Sequence, residues 1–174
     1  MNYELLRATK KEKEIIKNLM QFYIYDFSEF VLCDVEVDGL FGAYPFLDEY
    51  WEEVNQRFPY VIKQDKKYAG FVLVRFIESE ERNYFSIAEF FIMKKYRKEG
   101  IGKAVAKQLF DLHKGDWEVY QLESNQPAQA FWNKTINEYT QGKFKERFEE
   151  GRRIQDFTNK VERVDCFESS VSKM

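Results

Sequence analysis

Residues 88–104 read AEFFIMKKYRKEGIGKA, in which an apolar strand runs into a short basic turn and then directly into a helix. Such a turn leaves backbone N–H groups free at the helix N-terminus, where the helix dipole is positive. Gly100 and Gly102 let a ligand approach the backbone without an intervening Cβ atom. Three basic side chains add positive charge around the glycines: Arg97, Lys98 and Lys103. The stretch therefore predicts an anion site, and a pyrophosphate is the guest we expect.

Two other kinds of phosphate-binding loop are disfavoured by single residues. A Walker-type loop needs Gly-Lys followed by Ser or Thr to hold magnesium, whereas Gly102-Lys103 is followed by Ala104. A dinucleotide-binding fingerprint needs a third glycine near position 105, which is Val105. The remaining alternative is an ordinary strand-to-helix connection whose lysines are solvated.

A second motif lies at 125–132, where the chain reads NQPAQAFW and Pro127 suits the first turn of a helix. The spacing Arg97-x-x-Gly100-x-Gly102 after a strand, together with this Asn-x-x-Ala-x-x-Phe segment, resembles the acyl-CoA signature of the GNAT superfamily of N-acetyltransferases. In that family the Asn approaches the pantetheine. Asn125 also has a second interpretation as a helix cap before Pro127, and the two roles are compatible.

The resemblance implies that acetyl-CoA is the co-substrate and that no metal takes part. The pyrophosphate then lies at the glycine turn, while free backbone N–H groups of residues 91–93 bind the pantetheine and polarise the thioester. Without the resemblance, residues 90–93 are simply a buried strand. The cofactor-binding residues that it implies are Phe91, Ile92, Met93, Arg97, Lys98, Glu99, Gly100, Ile101, Gly102, Lys103, Asn125, Ala128, Phe131 and Trp132.

Trp132 is the position at which this chain departs from the family pattern. Relatives often carry a tyrosine there, whose hydroxyl protonates the departing thiolate. An indole N–H is too weak an acid to replace a phenol. The general acid is therefore missing from its usual place, and water, Tyr139 or Tyr120 are the alternatives that the sequence offers.

Glu89 is the candidate general base. An alkylammonium with a pKa near 10.4 is free base in about one molecule in 2,500 at pH 7, a cost of about 4.6 kcal/mol, so an enzyme gains from a proton acceptor. Glu89 interrupts an apolar strand, and desolvation there should raise its pKa. Polyamine-type relatives carry an acidic pair here, of which the first member is Ala88 in this chain. The alternative places Glu89 at the wet end of the strand, bonded to backbone amides.

The hydrophobic pattern predicts a mixed α/β or α+β fold. A strand at 3–8 precedes a helix that ends near Phe27 and begins at a capping box formed by Thr9 and Glu12. The further elements predicted are a loop at 31–47, a helix at 46–58, strands at 60–64, 68–77 and 84–93, a helix at 100–113, a strand at 117–122, a helix from 127 to about 136, and a hairpin at 143–149 and 152–158. This order resembles the three-layer GNAT fold, a mixed sheet of six to seven strands flanked by helices. The resemblance implies that its two central parallel strands splay apart, and we expect one domain over 1–174.

Composition limits the class of protein. A net charge of −3 argues against nucleic acid as a partner, although residues 94–107 are locally basic. No apolar stretch reaches the roughly 20 residues of a membrane span, and the N-terminus lacks a signal-peptide pattern, so a cytoplasmic protein without membrane partners is expected. Cys33 and Cys166 show no metal-binding spacing and are interpreted as reduced thiols. The sequence leaves open whether the protein is a homodimer.

The acceptor side is the least defined part of the sequence. Residues 31–53 are rich in acidic and aromatic side chains, which suit a cationic amine or form a solvated helix face: Asp34, Glu36, Asp38, Asp48, Glu49, Glu52, Glu53, Tyr44, Tyr50 and Trp51. The aromatic segment at 22–30 is interpreted as core. The predicted function is acetyl-CoA-dependent acetylation of a primary amine by direct attack. The acceptor is a small molecule, for which a cationic amine is one candidate, or a peptide. The alternative is a non-catalytic acyl-CoA-binding or regulatory module of the same fold.

Overall fold

Seven strands form one sheet in the computed structural model, which describes residues 2–160, and helices cover both faces of that sheet. The strands are β1 (Tyr3–Arg7), β2 (Arg57–Gln64), β3 (Lys67–Glu78), β4 (Asn83–Ile92), β5 (Asp116–Leu122), β6 (Lys145–Glu149) and β7 (Arg152–Thr158). The α-helices are α1 (Lys13–Phe27), α2 (Glu49–Glu52), α3 (Ile101–Leu112) and α4 (Gln126–Thr140). Short 3-10 turns lie at Lys10–Glu12 and Lys94–Tyr96.

The strand order is β1-β2-β3-β4-β5-β7-β6. Neighbouring strands are antiparallel except β4 and β5, which run parallel and are joined through α3. A parallel pair requires such a crossover, because a tight turn can only reverse the chain. The seven-stranded mixed sheet between two helical layers confirms the predicted three-layer GNAT-like fold of mixed α/β class.

Two apolar cores fix the layers. The helices α1 and α2 pack on one face of the sheet, where Ile16, Met20, Phe71 and Phe91 are buried together. The helices α3 and α4 cover the other face, whose largest fully buried side chain is Trp117. Each side chain of this kind contributes about 1.5–3 kcal/mol when it is fully buried, so both helical layers are held firmly against the sheet.

The second helix is much shorter than the predicted range of 46–58, since α2 spans only Glu49–Glu52. At Glu53 the backbone leaves the helical region, with φ −94° and ψ 59°. From Arg57 onward the chain pairs with β3, beginning opposite Arg75. The hydrogen bonds of the sheet therefore prevail over the helical spacing of the sequence after Glu52. The prediction was wrong for residues 46–48, which form a turn, and for residues 53–58.

His113 follows α3 and is buried in an aromatic cluster. Its Nε2 atom lies 2.8 Å from the Tyr60 hydroxyl oxygen, and the ring packs against Phe58 and Phe85. Burial, with the positive charge of Arg7 nearby, lowers the pKa of His113 to about 4. The folded protein therefore holds this imidazole neutral over a pH range in which the unfolded chain would protonate it.

Acid should therefore destabilise the fold through His113. Between pH 6.5 and pH 4 the unfolded state binds the proton first, so the free energy of unfolding falls as the pH falls. The expected contribution is about 2 kcal/mol after allowance for solvent screening. Urea unfolding of wild type and His113→Phe at pH 7 and at pH 4 measures it. Equal losses in the two proteins would show that His113 does not contribute.

Candidate active site

A groove opens where β4 and β5 separate. The two strands pair only through Phe85 with Trp117 and Ser86 with Glu118, so residues 87–92 continue without a partner on that side. The resulting groove has a volume of about 960 Å³ and lies between the end of α1, the end of β4, the turn before α3 and the first turns of α4. The splayed strands that the resemblance implied are therefore present.

A β-bulge in β4 changes the direction in which one acidic side chain points. Glu89 pairs with Leu73 and Ile87 pairs with Val74, so Ala88 is an extra residue on β4. A bulge of this kind breaks the strict alternation of side chains. As a result Ala88 packs on the core under α1 and α2, and Glu89 points to the same face, where it meets Tyr44.

Glu89 is half-buried, and a tyrosine hydroxyl holds its carboxylate. The Tyr44 hydroxyl donates a hydrogen bond of 2.7 Å to Oε1, and the Tyr23 hydroxyl lies nearby. Burial raises the pKa of Glu89 above its usual range, although these hydroxyls and the charge of Arg75 partly oppose the rise. The alternative interpretation of Glu89 gave it backbone amides as hydrogen-bond partners, whereas the structure places phenol groups there. Burial also raises the pKa of both tyrosines, so they remain protonated donors.

The N-terminus of α3 faces the groove without a side-chain cap. Gly100 precedes the helix with φ +83°, a left-handed conformation that favours glycine. The first intrahelical bond runs from the Ala104 N–H to the Gly100 carbonyl, which leaves the N–H groups of residues 101–103 without a helical partner. Gly102 packs against α4, since a Cβ atom there would lie 3.3 Å from the Phe131 ring. Three backbone donors and the helix dipole thus make an anion site.

The basic side chains around the start of α3 differ in whether they already form ion pairs within the protein. The Arg97 Nε donates to the Ile92 carbonyl at 2.6 Å, and its guanidinium pairs with Asp26 at the end of α1. The Lys103 ammonium lies 3.0 Å from Glu138. Lys98 forms no ion pair within residues 2–160. Arg97 therefore links β4 to α1. Lys98 is the basic side chain at the mouth of the groove that has no ion-pair partner among the described residues.

Most of the predicted cofactor-binding residues line this one groove: Phe91, Ile92, Arg97, Lys98, Gly100, Gly102, Lys103, Asn125, Ala128, Phe131 and Trp132. Three do not. The Met93 N–H donates to the Ala69 carbonyl at 2.8 Å, the exposed Glu99 lies beside Gln64, and the Ile101 side chain is fully buried. Of these three, only Ile101 presents a free backbone N–H to the anion site.

The second motif contributes the wall of the groove formed by α4. The Asn125 side chain accepts from the Ala128 N–H at 3.0 Å, so it caps α4 and lines the groove at the same time. Trp132 is 6% exposed and packs edge-on against Phe90, with ring centres 5.1 Å apart. Within the described chain its indole N–H has no hydrogen-bond acceptor.

The two tyrosines suggested as substitutes for the missing acid lie in different places. The Tyr139 hydroxyl donates to Asp111 at 2.9 Å, at the end of α4 away from the groove. Tyr120 alternates along β5 with Trp117 and Val119, which face α3 and α4, so it points to the side of the sheet that α1 covers. Tyr120 is therefore the better placed of the two.

The end of α1 is the part of the groove that the sequence did not reveal. Tyr23, Tyr25 and Phe27 line it together with Asp26, although the aromatic segment was interpreted as core. Tyr23 does pack on Phe71 and Phe91, so the interpretation was half correct. Lys134 on α4 also lines the groove, and no motif pointed to it.

Neither a metal cluster nor a membrane helix is found in the described part of the chain. Residues 2–160 contain no group of three or more His, Cys, Asp or Glu side chains placed to hold a metal ion. No helix in the same range has the length and apolar character that crossing a bilayer requires. Cys33 is half-buried with a free thiol, and Cys166 lies outside the described residues.

Comparison with known proteins gives a family match and many structural neighbours. The Acetyltransferase (GNAT) family model matches residues 20–136, about two thirds of the chain. No curated protein matches the sequence.

Three solved structures illustrate the structural likeness. PaiA N-acetyltransferase of Thermoplasma acidophilum, in complex with coenzyme A, has a TM-score of 0.61 at 12% identity, covering 91% of this chain and 99% of that one. A GNAT-family acetyltransferase of Streptococcus agalactiae has a TM-score of 0.63 at 15% identity, covering 91% and 96%. Arabidopsis thaliana NAA60, in complex with a bisubstrate analogue, has a TM-score of 0.58 at 13% identity, covering 90% and 98%. At these identities the likeness shows the fold.

Proposed function

The chain belongs to the GNAT family of acetyltransferases, and from this premise we propose that residues 1–174 form one N-acetyltransferase domain. It transfers the acetyl group of acetyl-CoA to a primary amine of a small molecule or peptide by direct attack. The observation that carries the proposal is the uncapped start of α3, which faces the groove where β4 leaves β5. Glu89 lies on the same part of β4 and points to the opposite face of the sheet, toward Tyr44.

The groove fits coenzyme A by the chemistry of its donors. The free N–H groups of residues 101–103 and the ammonium of Lys98 suit the pyrophosphate. The unpaired edge of β4 and the Asn125 side chain suit the amide groups of the pantetheine arm. The Thermoplasma neighbour, which shares the fold, was solved with coenzyme A, and this supports coenzyme A as the ligand.

Glu89 suits the proton transfer that the reaction needs. Transfer forms a C–N bond from amine to acetyl carbon and breaks the C–S bond, so the amine loses a proton and the thiolate gains one. The raised pKa makes Glu89 a stronger proton acceptor than an exposed carboxylate. The Tyr44 hydroxyl holds the carboxylate in place, and the Tyr23 hydroxyl lies nearby. Cys33 does not line the groove, which favours direct attack over an acyl-enzyme formed on a thiol.

Release of the coenzyme A thiol, followed with a thiol reagent across a panel of primary amines, tests this function. We expect release that depends on the amine and saturates with both substrates. Thiol release at the same rate with and without every amine would contradict amine acetylation.

Trp132 supports a second candidate, a module that binds acyl-CoA without catalysis, because it replaces the usual phenol. The variant Trp132→Tyr separates the two. In a working enzyme limited by thiolate departure it should raise kcat, since a phenol is a far better proton donor than an indole. If Tyr120 or water is the acid, kcat stays unchanged, and Tyr120→Phe then becomes the informative variant. Tight acetyl-CoA binding with no transfer in wild type or Trp132→Tyr would favour the binding module.

A further inference from the structure

Arg75 presents a half-buried positive charge that the described chain does not pair. It lies on β3, on the face that carries Phe71 and Leu73, and so points toward α1 and α2. Its Nε is buried and has no hydrogen-bond partner, and no carboxylate of residues 2–160 lies within ion-pair distance of it. A guanidinium is always charged at physiological pH, and its planar set of N–H donors matches the geometry of a carboxylate.

The hydroxyl of Tyr50 is a second buried donor without a partner. Tyr50 is 1% exposed, and its hydroxyl makes no hydrogen bond in the described structure. Burial raises its pKa to about 12, although the charges of Arg75 and Arg57 lower it. Arg57 is itself paired with Glu49 and Glu53, whereas Arg75 is not. Arg57 lies over the Tyr50 ring and is opposite Arg75 in the pairing of β2 with β3, so Arg75 and Tyr50 are neighbouring donors that lack an acceptor.

This donor pair lies beside the Glu89 carboxylate. Glu89 is opposite Leu73, and Arg75 is two residues further along the same face of β3, a diagonal separation of about 7–8 Å between side-chain positions. The charge of Arg75 acts on Glu89, yet the two groups are beyond ion-pair distance. A proton-accepting carboxylate and an unpaired guanidinium therefore stand side by side on the face away from α3 and α4.

From this juxtaposition we propose that the acceptor is an amino carboxylate, whose anionic group binds Arg75 and Tyr50 while its amine faces Glu89. The inference rests on the proposed function for the role of Glu89. A guanidinium binds a carboxylate through two parallel hydrogen bonds, and the Tyr50 hydroxyl supplies a third. An acceptor that carries positive charges alone would meet Arg75 as a like charge, so simple polyamines are poor substrates.

Matched acceptors test the inference. The experiment measures kcat/KM for a set of α-, β- and γ-amino acids and for the carboxamide of each. The measurements are made with wild type, Arg75→Gln and Arg75→Lys. The carboxylate raises the pKa of the neighbouring amine, so the carboxamide is the more reactive free amine and any preference for the acid must come from binding. We expect wild type to prefer the acid, and Arg75→Gln to lose about 10–100-fold on acids only. Arg75→Lys should recover part of this loss.

Controls separate this inference from folding and from the proposed function. Lys67→Gln removes one positive charge from an exposed position of the same strand and should keep the acid preference. The ratio of kcat/KM for the acid to kcat/KM for the amide is measured within one protein. Partial unfolding lowers both values equally and therefore leaves the ratio unchanged. Equal rates for acids and amides, or a preference that survives Arg75→Gln, would overturn the inference while leaving acetylation intact.

Calorimetric titration of the same amino acids into the coenzyme A complex gives a readout that needs no turnover. Binding that weakens at least tenfold in Arg75→Gln supports the anion site even if no acetyl transfer occurs, in which case the proposed function alone fails. If none of these acids binds to the wild-type complex, the inference is wrong.

Discussion

Glu89→Gln should lower kcat by about 10²–10⁴-fold, because the amide keeps the shape of the side chain and cannot accept a proton. The Tyr44 hydroxyl still has an oxygen to donate to, so the fold and the groove should be preserved. The KM for acetyl-CoA should change little, since Glu89 is not among the residues that line the groove. Steady-state kinetics at saturating acetyl-CoA measure both quantities.

The pH profile distinguishes a base from a structural residue. In wild type the rate should rise as the pH passes the raised pKa of Glu89, because only the ionised carboxylate accepts a proton. In Glu89→Gln this step should vanish, and the rate should follow the free-base fraction of the acceptor toward its own pKa. Glu78→Gln, the same change at the exposed end of β3, is the control. A Glu89→Gln enzyme with wild-type turnover and pH profile would show that another group is the base.

Gly100→Asp should weaken coenzyme A binding about 10–100-fold. Its carboxylate would stand at the start of α3, where it competes for the N–H groups of residues 101–103 and repels a pyrophosphate. Aspartate tolerates the left-handed backbone better than most residues, so the fold should survive φ +83°. Calorimetric titration with coenzyme A measures the change.

Gly151→Asp is the matched control for this substitution. Gly151 has φ +72° and open space around it, and it lies in the turn between β6 and β7. The same residue change at nearly the same backbone conformation should leave coenzyme A affinity unchanged. If Gly100→Asp also binds coenzyme A with wild-type affinity, the pyrophosphate does not lie at the start of α3.

Local signals in the sequence predicted the fold well, because they agree with the packing. The capping box at Thr9 is present, with the Thr9 N–H donating to Glu12 at 2.9 Å. The hairpin at Glu150-Gly151 also forms, since both residues take positive φ in the turn. The helix predicted at 46–58 failed because its apolar spacing competes with the pairing of β2 on β3, a long-range contact that spacing cannot report.

The site was predictable where backbone geometry defines it and hidden where side chains from distant elements meet. Gly100 and Gly102 mark the turn directly. The bulge at Ala88, in contrast, leaves no mark in the sequence, and it decides that Glu89 faces Tyr44 rather than α4. Arg75 was invisible for the same reason, since its missing partner is apparent only when all its neighbours are in place.

One experiment separates acetyl transfer from mere acetyl-CoA binding. The protein is incubated with a broad panel of primary amines and with acetyl-CoA that carries a heavy isotope in its acetyl group. Mass spectrometry of the products, together with a thiol count, should show one labelled acetylamine for each thiol released. Glu89→Gln should reduce both in parallel. Tight acetyl-CoA binding with no labelled amine from any amine, amino acid or peptide of the panel would contradict acetyl transfer and leave a binding module.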